Sequence, residues 1–425
     1  MRTVLSKKIS EWAKGLFRRE PKKSEPKHTV ISRAGHPISR KDISPNALKV
    51  LYKLKEAGHE AYLVGGGVRD VLLNRAPKDF DVATSAHPEV VRHVFRNSRI
   101  IGRRFKLVHV FFGQEIIEVS TFRANVIEQT RNEMIYRDNT YGTIEEDAWR
   151  RDFTINALYY NIADFSIVDF CGGMHDLKHR LIRMIGDPSQ RYHEDPVRLL
   201  RAIRLSAKLN LHIEKKTEST LIALPHLLKH VPTSRLFDEC LKLFFEGNSV
   251  VTFDKLQHYR YTDVLFPQMS HMKDHAAHTK MIHAALKATD DRIAANESVN
   301  PAFLFAVFLW PALQKEVHHF RHEKKKFYMQ LHQAIHRVSE KQLETVMISK
   351  RFQFAMQAMW ILQFQLEKRR PARIMTIFNH RYFRAAFDFM ALRVECGEIL
   401  PATFNWWKAF QLATAEEQQK MIDKL

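Results

Sequence analysis

The chain has 425 residues, 45% of them hydrophobic, enough to bury more than one core and to set an expectation of roughly two to four domains. Lys and Arg number 67 against 47 Asp and Glu, a formal net charge of +20, so a polyanion such as nucleic acid is the expected partner, with an anionic membrane surface or simple solubility as the alternatives. The scattered Cys171, Cys240 and Cys396 form no C-x-x-C pair, which speaks against a disulfide scaffold or a thiolate zinc site and fits a reducing cytoplasm. No apolar run reaches the roughly 18 residues of a membrane span, and Lys7, Lys8, Glu11 and Lys14 interrupt every stretch that could serve as a signal-peptide core.

In chain order, residues 1–45 read as a basic leader and linker. Leu5, Ile9, Trp12 and Leu16 fall on one helical stripe, which suits a membrane surface, a partner, or docking on the protein itself. Pro21, Lys22, Lys23, Ser24 and Pro26 read as a flexible connection. From Asn46 helix and strand alternate: a helix over Leu48–Ala57, a strand over Ala61–Val64 ending in three glycines, a helix over Val68–Leu73, a strand over Phe80–Val82 and a helix over Pro88–Phe95. Leu107–Phe112 and Glu115–Phe122 then predict a hairpin turning at Gly113-Gln114. Beyond Tyr192 strand signals nearly vanish, and helices rich in Phe, Met, Lys and Arg follow, such as Lys350–Leu366 and His380–Glu395. The fold class expected is α+β: a head with a small mixed β-sheet and helices (46–186), a helical neck (187–250) and a helical body (251–425). Within the body, His322–Lys326 and Lys368-Arg369-Arg370 sit among aromatics, and either track an RNA backbone or are solvated helix faces.

The residues that suggest chemistry cluster in the head. Gly65-Gly66-Gly67 between a strand and a helix lets backbone N–H groups approach an anion, although a tight turn needs the same residues. No Gly-Lys-Ser/Thr follows, and the spacing is not that of the dinucleotide fingerprint. Asp79 and Asp81, two apart in a strand, would project from one face roughly 7 Å apart at Cα. Such a pair repels itself unless a cation lies between, and Mg²⁺ suits it because it keeps positions open for phosphate oxygens. In Arg150-Arg151-Asp152-Phe153-Thr154-Ile155-Asn156, a helix would put Asp152 and Asn156 on one face, for a sugar or merely as a cap and surface pair. In Glu194-Asp195-Pro196-Val197-Arg198, the proline and preceding acids suit a helix start, and Arg198, Arg201 and Arg204 then recur on adjacent turns.

Together these motifs resemble the nucleotidyltransferase family that contains bacterial poly(A) polymerases and eubacterial-type CCA-adding enzymes, with matches running from Gly65 to Arg204. The resemblance implies a catalytic head, a helical neck and body, a two-metal Mg²⁺ site (Mn²⁺ also being suitable), and ATP and RNA 3′ ends as partners of a monomeric, cytoplasmic enzyme. By motif position, Asp79 and Asp81 match the catalytic metal-binding pair, and Gly65, Gly66 and Arg69 the triphosphate turn. Asp152, with Arg151 and Asn156, matches the segment that handles the sugar, and Asp195 and Arg198 the pair that reads the base. Glu118 is a candidate third carboxylate or a solvent-facing strand residue, and Cys171–Leu177 resembles the hinge that follows the head.

Three glycines rather than two and an alanine, the stretch Ile100–Val110 and the stretch His36–Ser44 lean toward the polymerase branch over CCA addition. The other readings are a non-catalytic RNA-binding relative, against which the intact Asp79 and Asp81 argue, and a zinc module on His318 and His322, which lacks further ligands. The final residues Met421–Leu425 do not form the strongly basic tail of some polymerases, so RNA affinity is expected from the body and leader.

Overall fold

The computed structural model describes residues 28–102, 106–124, 140–272, 276–320 and 327–425. The leader's apolar stripe, the Pro21–Pro26 connection, the run His322–Lys326 and hence half of the His318/His322 pair lie outside the described residues. The described chain divides into two compact units between His179 and Arg180.

In the first unit, β1 (Thr29–Ile31), β2 (Ala61–Val64), β3 (Asp81–Thr84), β4 (Ser98–Ile101), β5 (Leu107–Phe112), β6 (Glu115–Thr121), β7 (Leu158–Asn161) and β8 (Ile167–Asp169) form one sheet among the described residues, in the order β1-β8-β7-β2-β3-β6-β5-β4. The sheet is mixed, because β3 and β6 run parallel while the other neighbours are antiparallel. Its helices are α1 (Pro45–Glu56), α2 (Gly66–Leu72), α3 (Pro88–Val94), α4 (Ile144–Trp149) and α5 (Gly173–Lys178). α1 starts where the Ser44 hydroxyl caps the amides of Asn46 and Ala47, and it buries Ala47, Val50, Leu51 and Leu54 on one stripe. The predicted hairpin is present: Phe112 pairs with Glu115 across a two-residue turn in which Gly113 has φ 64°.

Two expectations need correction. β3 begins at Asp81, not Phe80, so Asp79 lies ahead of the strand rather than in it. On one side the ladder ends there, because β2 stops at Val64, opposite Asp81, and the chain leaves the sheet at Gly65, although β6 continues on the other side to Glu115. Nor do Asp152 and Asn156 share an α-helix; α4 stops at Trp149, and Thr154–Asn156 is a separate 3₁₀ turn entered through an extended Phe153.

Among its described residues the second unit is helical, apart from β9 (Leu181–Ile182) paired with β10 (His212–Ile213). That pairing ties Leu181 and Ile182 to the residues that follow. α6 (Pro188–Glu194), α7 (Val197–Leu209), α8 (Pro301–Phe320), α9 (Lys350–Lys368), α10 (Phe383–Glu395) and α11 (Pro401–Leu412) carry the residues of interest. α8 is buried continuously from Leu304 to Leu313, as its unbroken apolar run requires, and it packs against α9 and α10. Trp310, Trp360 and Trp407 are fully buried, and each indole N–H donates, to Glu398 Oε2, the Ala306 carbonyl and the Leu366 carbonyl respectively, at 3.0 Å in each case. No helix among the described residues is long and apolar enough to cross a membrane.

Candidate active site

The glycine turn joins β2 to α2. Gly65 has φ 75° and ψ −137°, a backbone conformation essentially closed to residues with a side chain. Gly67 serves a different need. A Cβ there would lie 3.1 Å from the Phe80 ring and 3.2 Å from the Asp79 carbonyl oxygen, so its absence lets α2 rest on the segment carrying the acids. The two ends of the motif are therefore in contact.

Across the sheet, register sets three polar residues in a row. Asp81 of β3 pairs with Glu118 of β6, which in turn pairs with His109 of β5. His109 Nε2 lies 3.3 Å from Glu118 Oε1. Burial pushes the Asp81 carboxyl up, Glu118 and Asp79 add to this, and Arg151 opposes it, leaving Asp81 at about 6. Among the described residues no group of three or more His, Cys, Asp or Glu side chains is arranged to enclose a metal ion by itself.

On the other side of β2, the expected nucleotide residues form a buried chain of hydrogen bonds. Arg69 Nη1 donates to Asn156 Oδ1 at 2.6 Å, and Asn156 Nδ2 donates to Asp152 Oδ1 at 3.0 Å. Arg69 is also gripped by Asp70, through Nε at 2.9 Å and Nη2 at 2.6 Å. The 3₁₀ turn achieves what a helix was expected to do, bringing Asp152 and Asn156 together. It is anchored from behind, where Thr154 Oγ1 donates to Asp176 Oδ2 at 2.7 Å. The Cys171–Leu177 segment is bound just as firmly. The Asp169 carboxylate accepts from the amides of Cys171, Gly172, Gly173 and Met174 at 2.9–3.1 Å. Gly173 lies so close to the Thr154 carbonyl that any side chain there would collide with it.

Sequence reasoning missed Asp70, His109, Asp147 and Tyr159. Asp147 stands three residues before Arg150 and four before Arg151, a helical pairing that could have exposed it. Tyr159 has no local signal; only the β2–β7 pairing, Val64 opposite Tyr159, places it.

In the second unit, Asp195 follows α6 and Arg198 lies in the first turn of α7. Asp195 Oδ2 meets Arg235 Nη2 at 2.9 Å, while Arg198 Nη1 donates to the Arg191 carbonyl at 2.8 Å and to Glu194 Oε2 at 3.2 Å. At the end of α9, Lys368 Nζ lies 3.8 Å from the centre of the Phe327 ring and 5.4 Å from that of Tyr328, and Arg369 lies over Trp406 at 5.7 Å. A cavity of about 250 Å³ here is lined by Tyr328, Gln365, Lys368, Arg370 and Arg373. Burial, then Arg370, lowers the Lys368 pKa. If this cluster meets RNA phosphates, neutralising Lys368, Arg369 and Arg370 will make affinity less steeply dependent on salt, by about one unit of log–log slope for each phosphate that is no longer neutralised. Filter binding across a salt series reads this directly, and an unchanged slope would mark the cluster as a solvated face.

A mixed sheet bearing acids at the start of one strand beside a glycine turn, followed by a helical region, is the architecture of a nucleotidyltransferase. Residues 61–183 match the poly A polymerase head domain, 210–273 a probable RNA and SrmB-binding site of polymerase A, and 323–425 the polymerase A arginine-rich C-terminus. Poly(A) polymerase I of Salmonella typhimurium is 45% identical over 439 aligned positions, covering 100% of this chain and 93% of that protein. Poly(A) polymerase I of Escherichia coli O6:H1 gives the same identity and coverage. Among solved structures, an apo CCA-adding enzyme superposes with a TM-score of 0.62 at 20% identity, over 88% of this chain and 86% of that one, a likeness of fold. The chain belongs to the poly(A) polymerase family.

Proposed function

We propose that this protein adds AMP from ATP to RNA 3′ ends without a template, by a two-metal nucleotidyl transfer. The observation that carries the reading is the placement of Asp81 beside the Gly65 turn and opposite Glu118, with Asp79 two residues away; burial first, and then these acids, raise its carboxyl to about 6. Acids forced together at such a cost fit a divalent cation, Mg²⁺ or Mn²⁺, which would be held by Asp79 and Asp81 with its other positions left to phosphate oxygens and water. Bound there, the metal ions would lower the pKa of the RNA 3′-hydroxyl and neutralise charge on the departing pyrophosphate. Glu118, opposite Asp81 on β6, adds a third negative charge beside this pair without completing a metal-enclosing group by itself.

The protein's own residues supply position and charge. Gly65 and Gly66 give the triphosphate a backbone surface without side chains, and Arg69, oriented by Asp70 and Asn156, supplies positive charge beside it. Arg151 adds a second positive group near Asp81. Asp152 and Asn156 meet the ribose. Asp195 and Arg198 read the base, the carboxylate accepting from the adenine amino group and the guanidinium donating to a ring nitrogen. Similarity to polymerases over 100% of this chain supports AMP addition over CCA addition, since curated CCA-adding enzymes of 40–41% identity match only 48% of it.

Single-nucleotide addition with each of the four triphosphates, on unstructured RNA and on tRNA lacking its end, tests this. Wild type is expected to favour ATP on unstructured RNA. Asp195→Ala and Arg198→Ala should each lose roughly ten- to hundredfold in ATP incorporation, because each removes a charged hydrogen bond. Unchanged rate and ranking in both variants would place base reading elsewhere. Addition of two C residues and one A to trimmed tRNA would establish the CCA-adding activity instead.

A further inference from the structure

Arg151 is held from behind by two groups that take no part in the proposed chemistry. Its Nη2 and Nε donate to Asp147 Oδ2 at 2.9 and 3.2 Å, and its Nε also donates to the Tyr159 hydroxyl at 2.9 Å. Tyr159 completes the ring by donating its own hydroxyl proton to Asp147 Oδ2 at 2.7 Å. The other carboxylate oxygen, Oδ1, accepts from Arg150 Nε and Nη2 at 2.9 and 2.7 Å. Asp147 and Tyr159 are both fully buried.

This arrangement is aimed at the nucleotide turn. Tyr159 lies on β7 directly opposite Val64, the residue before Gly65, and Asp81 lies opposite Val64 on the other side. The remaining Arg151 nitrogen, Nη1, reaches toward Gly65: a Cβ built there would lie 3.8 Å from Nη1 and 3.5 Å from Asp81 Oδ2. Thus Asp147 and Tyr159 hold the guanidinium through Nε and Nη2, with Nη1 beside the glycine turn and the acid. An arginine side chain left to itself loses much rotamer freedom when it meets a phosphate. Here that ordering is completed by folding.

We infer that Asp147 and Tyr159 are positioning residues that hold Arg151 toward the triphosphate of the incoming nucleotide at the Gly65 turn. The inference rests on the nucleotide site proposed above and adds two residues to it. Neither would touch the nucleotide; both act through Arg151, and the phenol does so by accepting from Nε and donating to the carboxylate in one geometry.

The test measures the dissociation constant for ATP with Mg²⁺ by calorimetry, and the KM for ATP in single-nucleotide addition, on the full chain. Tyr159→Phe keeps the ring packing and removes the hydroxyl, and Asp147→Asn keeps the shape and removes the charge. Arg151→Ala is expected to weaken ATP binding by roughly tenfold or more, as loss of a charged hydrogen bond does. Tyr159→Phe should raise both ATP constants roughly three- to tenfold, and in the Arg151→Ala background it should add nothing. Asp147→Asn should act in the same direction, with thermal melts confirming a folded protein. If Arg151→Ala weakens ATP binding but Tyr159→Phe does not, the positioning role is overturned and the nucleotide site stands. If the Tyr159→Phe effect persists undiminished without Arg151, the hydroxyl acts on packing and the role is again overturned. Should Arg151→Ala bind ATP as wild type does, Arg151 does not belong to the nucleotide site, and the positioning role falls with it.

Discussion

Asp81→Asn and Asp79→Asn are each expected to cut AMP incorporation by roughly a thousandfold, while the Asp81 variant gains stability in metal-free buffer. The loss follows from the chemistry: a carboxylate holding a catalytic metal ion contributes several kcal/mol to transition-state stabilisation, and each ~1.4 kcal/mol is tenfold in rate. The gain follows from burial and crowding. The folded Asp81 carboxyl titrates at about 6 against an ordinary 3.8, so the folded state binds the proton more tightly. Stability from this group is fully present below 3.8, declines as pH rises toward 6, and stays low above it. At neutral pH the ionised group therefore costs on the order of 2–3 kcal/mol, which a neutral asparagine relieves. Adding Mg²⁺ should raise the melting temperature of wild type and leave Asp81→Asn nearly unaffected. Thermal melts with and without Mg²⁺, paired with a primer-extension assay, read both effects. Incorporation above a few per cent of wild type in both variants would sink the metal assignment, and a lower metal-free melting point for Asp81→Asn would contradict the crowding argument.

Arg393→Ala is expected to destabilise the second unit by about 3 kcal/mol, the lower end of the cost of breaking a buried ion pair from one side, because Glu367 is partly exposed while Glu398 is largely buried. Arg393 is only 3% exposed on α10 and joins three helices and a loop. Its guanidinium meets Glu367 of α9 at 2.6 Å and Glu398 at 2.7 Å, donates to Gln363 Oε1 at 3.1 Å, and lies 4.6 Å from the centre of the Trp310 ring of α8. Glu398 is in turn bonded to Trp310 and to Gln314, so loss of the arginine strands a carboxylate on which two other side chains depend. Arg393→Lys should recover only part of the loss, because one ammonium cannot span both carboxylates and Gln363 in a planar fork. Denaturant unfolding followed by tryptophan fluorescence measures the shift, Trp310 lying within the network. A change below about 1 kcal/mol for the alanine variant would show that the unit repacks around the gap.

Much of the head was legible in the amino-acid order. A short apolar run ending in three glycines located β2 at Ala61–Val64, and the two-residue spacing at Gly113-Gln114 located the β5–β6 hairpin, because both are set by local backbone preferences. The limits of β3 were not legible, since the end of its β2 ladder is set by the departure of a distant segment at Gly65 and not by the residues around Asp79. Likewise the spacing of Asp152 and Asn156 suggested a helix, yet their contact is made by a 3₁₀ turn fastened to Asp176 from a segment twenty-two residues on.

By itself the sequence determined the class of fold, the glycine turn, the acids near it and the membership of a polymerase family, because these reside in local pattern and in motifs of fixed spacing. Only the tertiary structure decided that Glu118 and His109 line up beside Asp81, that Gly67 is small to admit the Asp79 carbonyl, and that Asp147 and Tyr159 hold Arg151. The physical reason is the same in each case: strand register and the close approach of separate backbones join residues distant along the chain, and no local periodicity encodes which of them will meet.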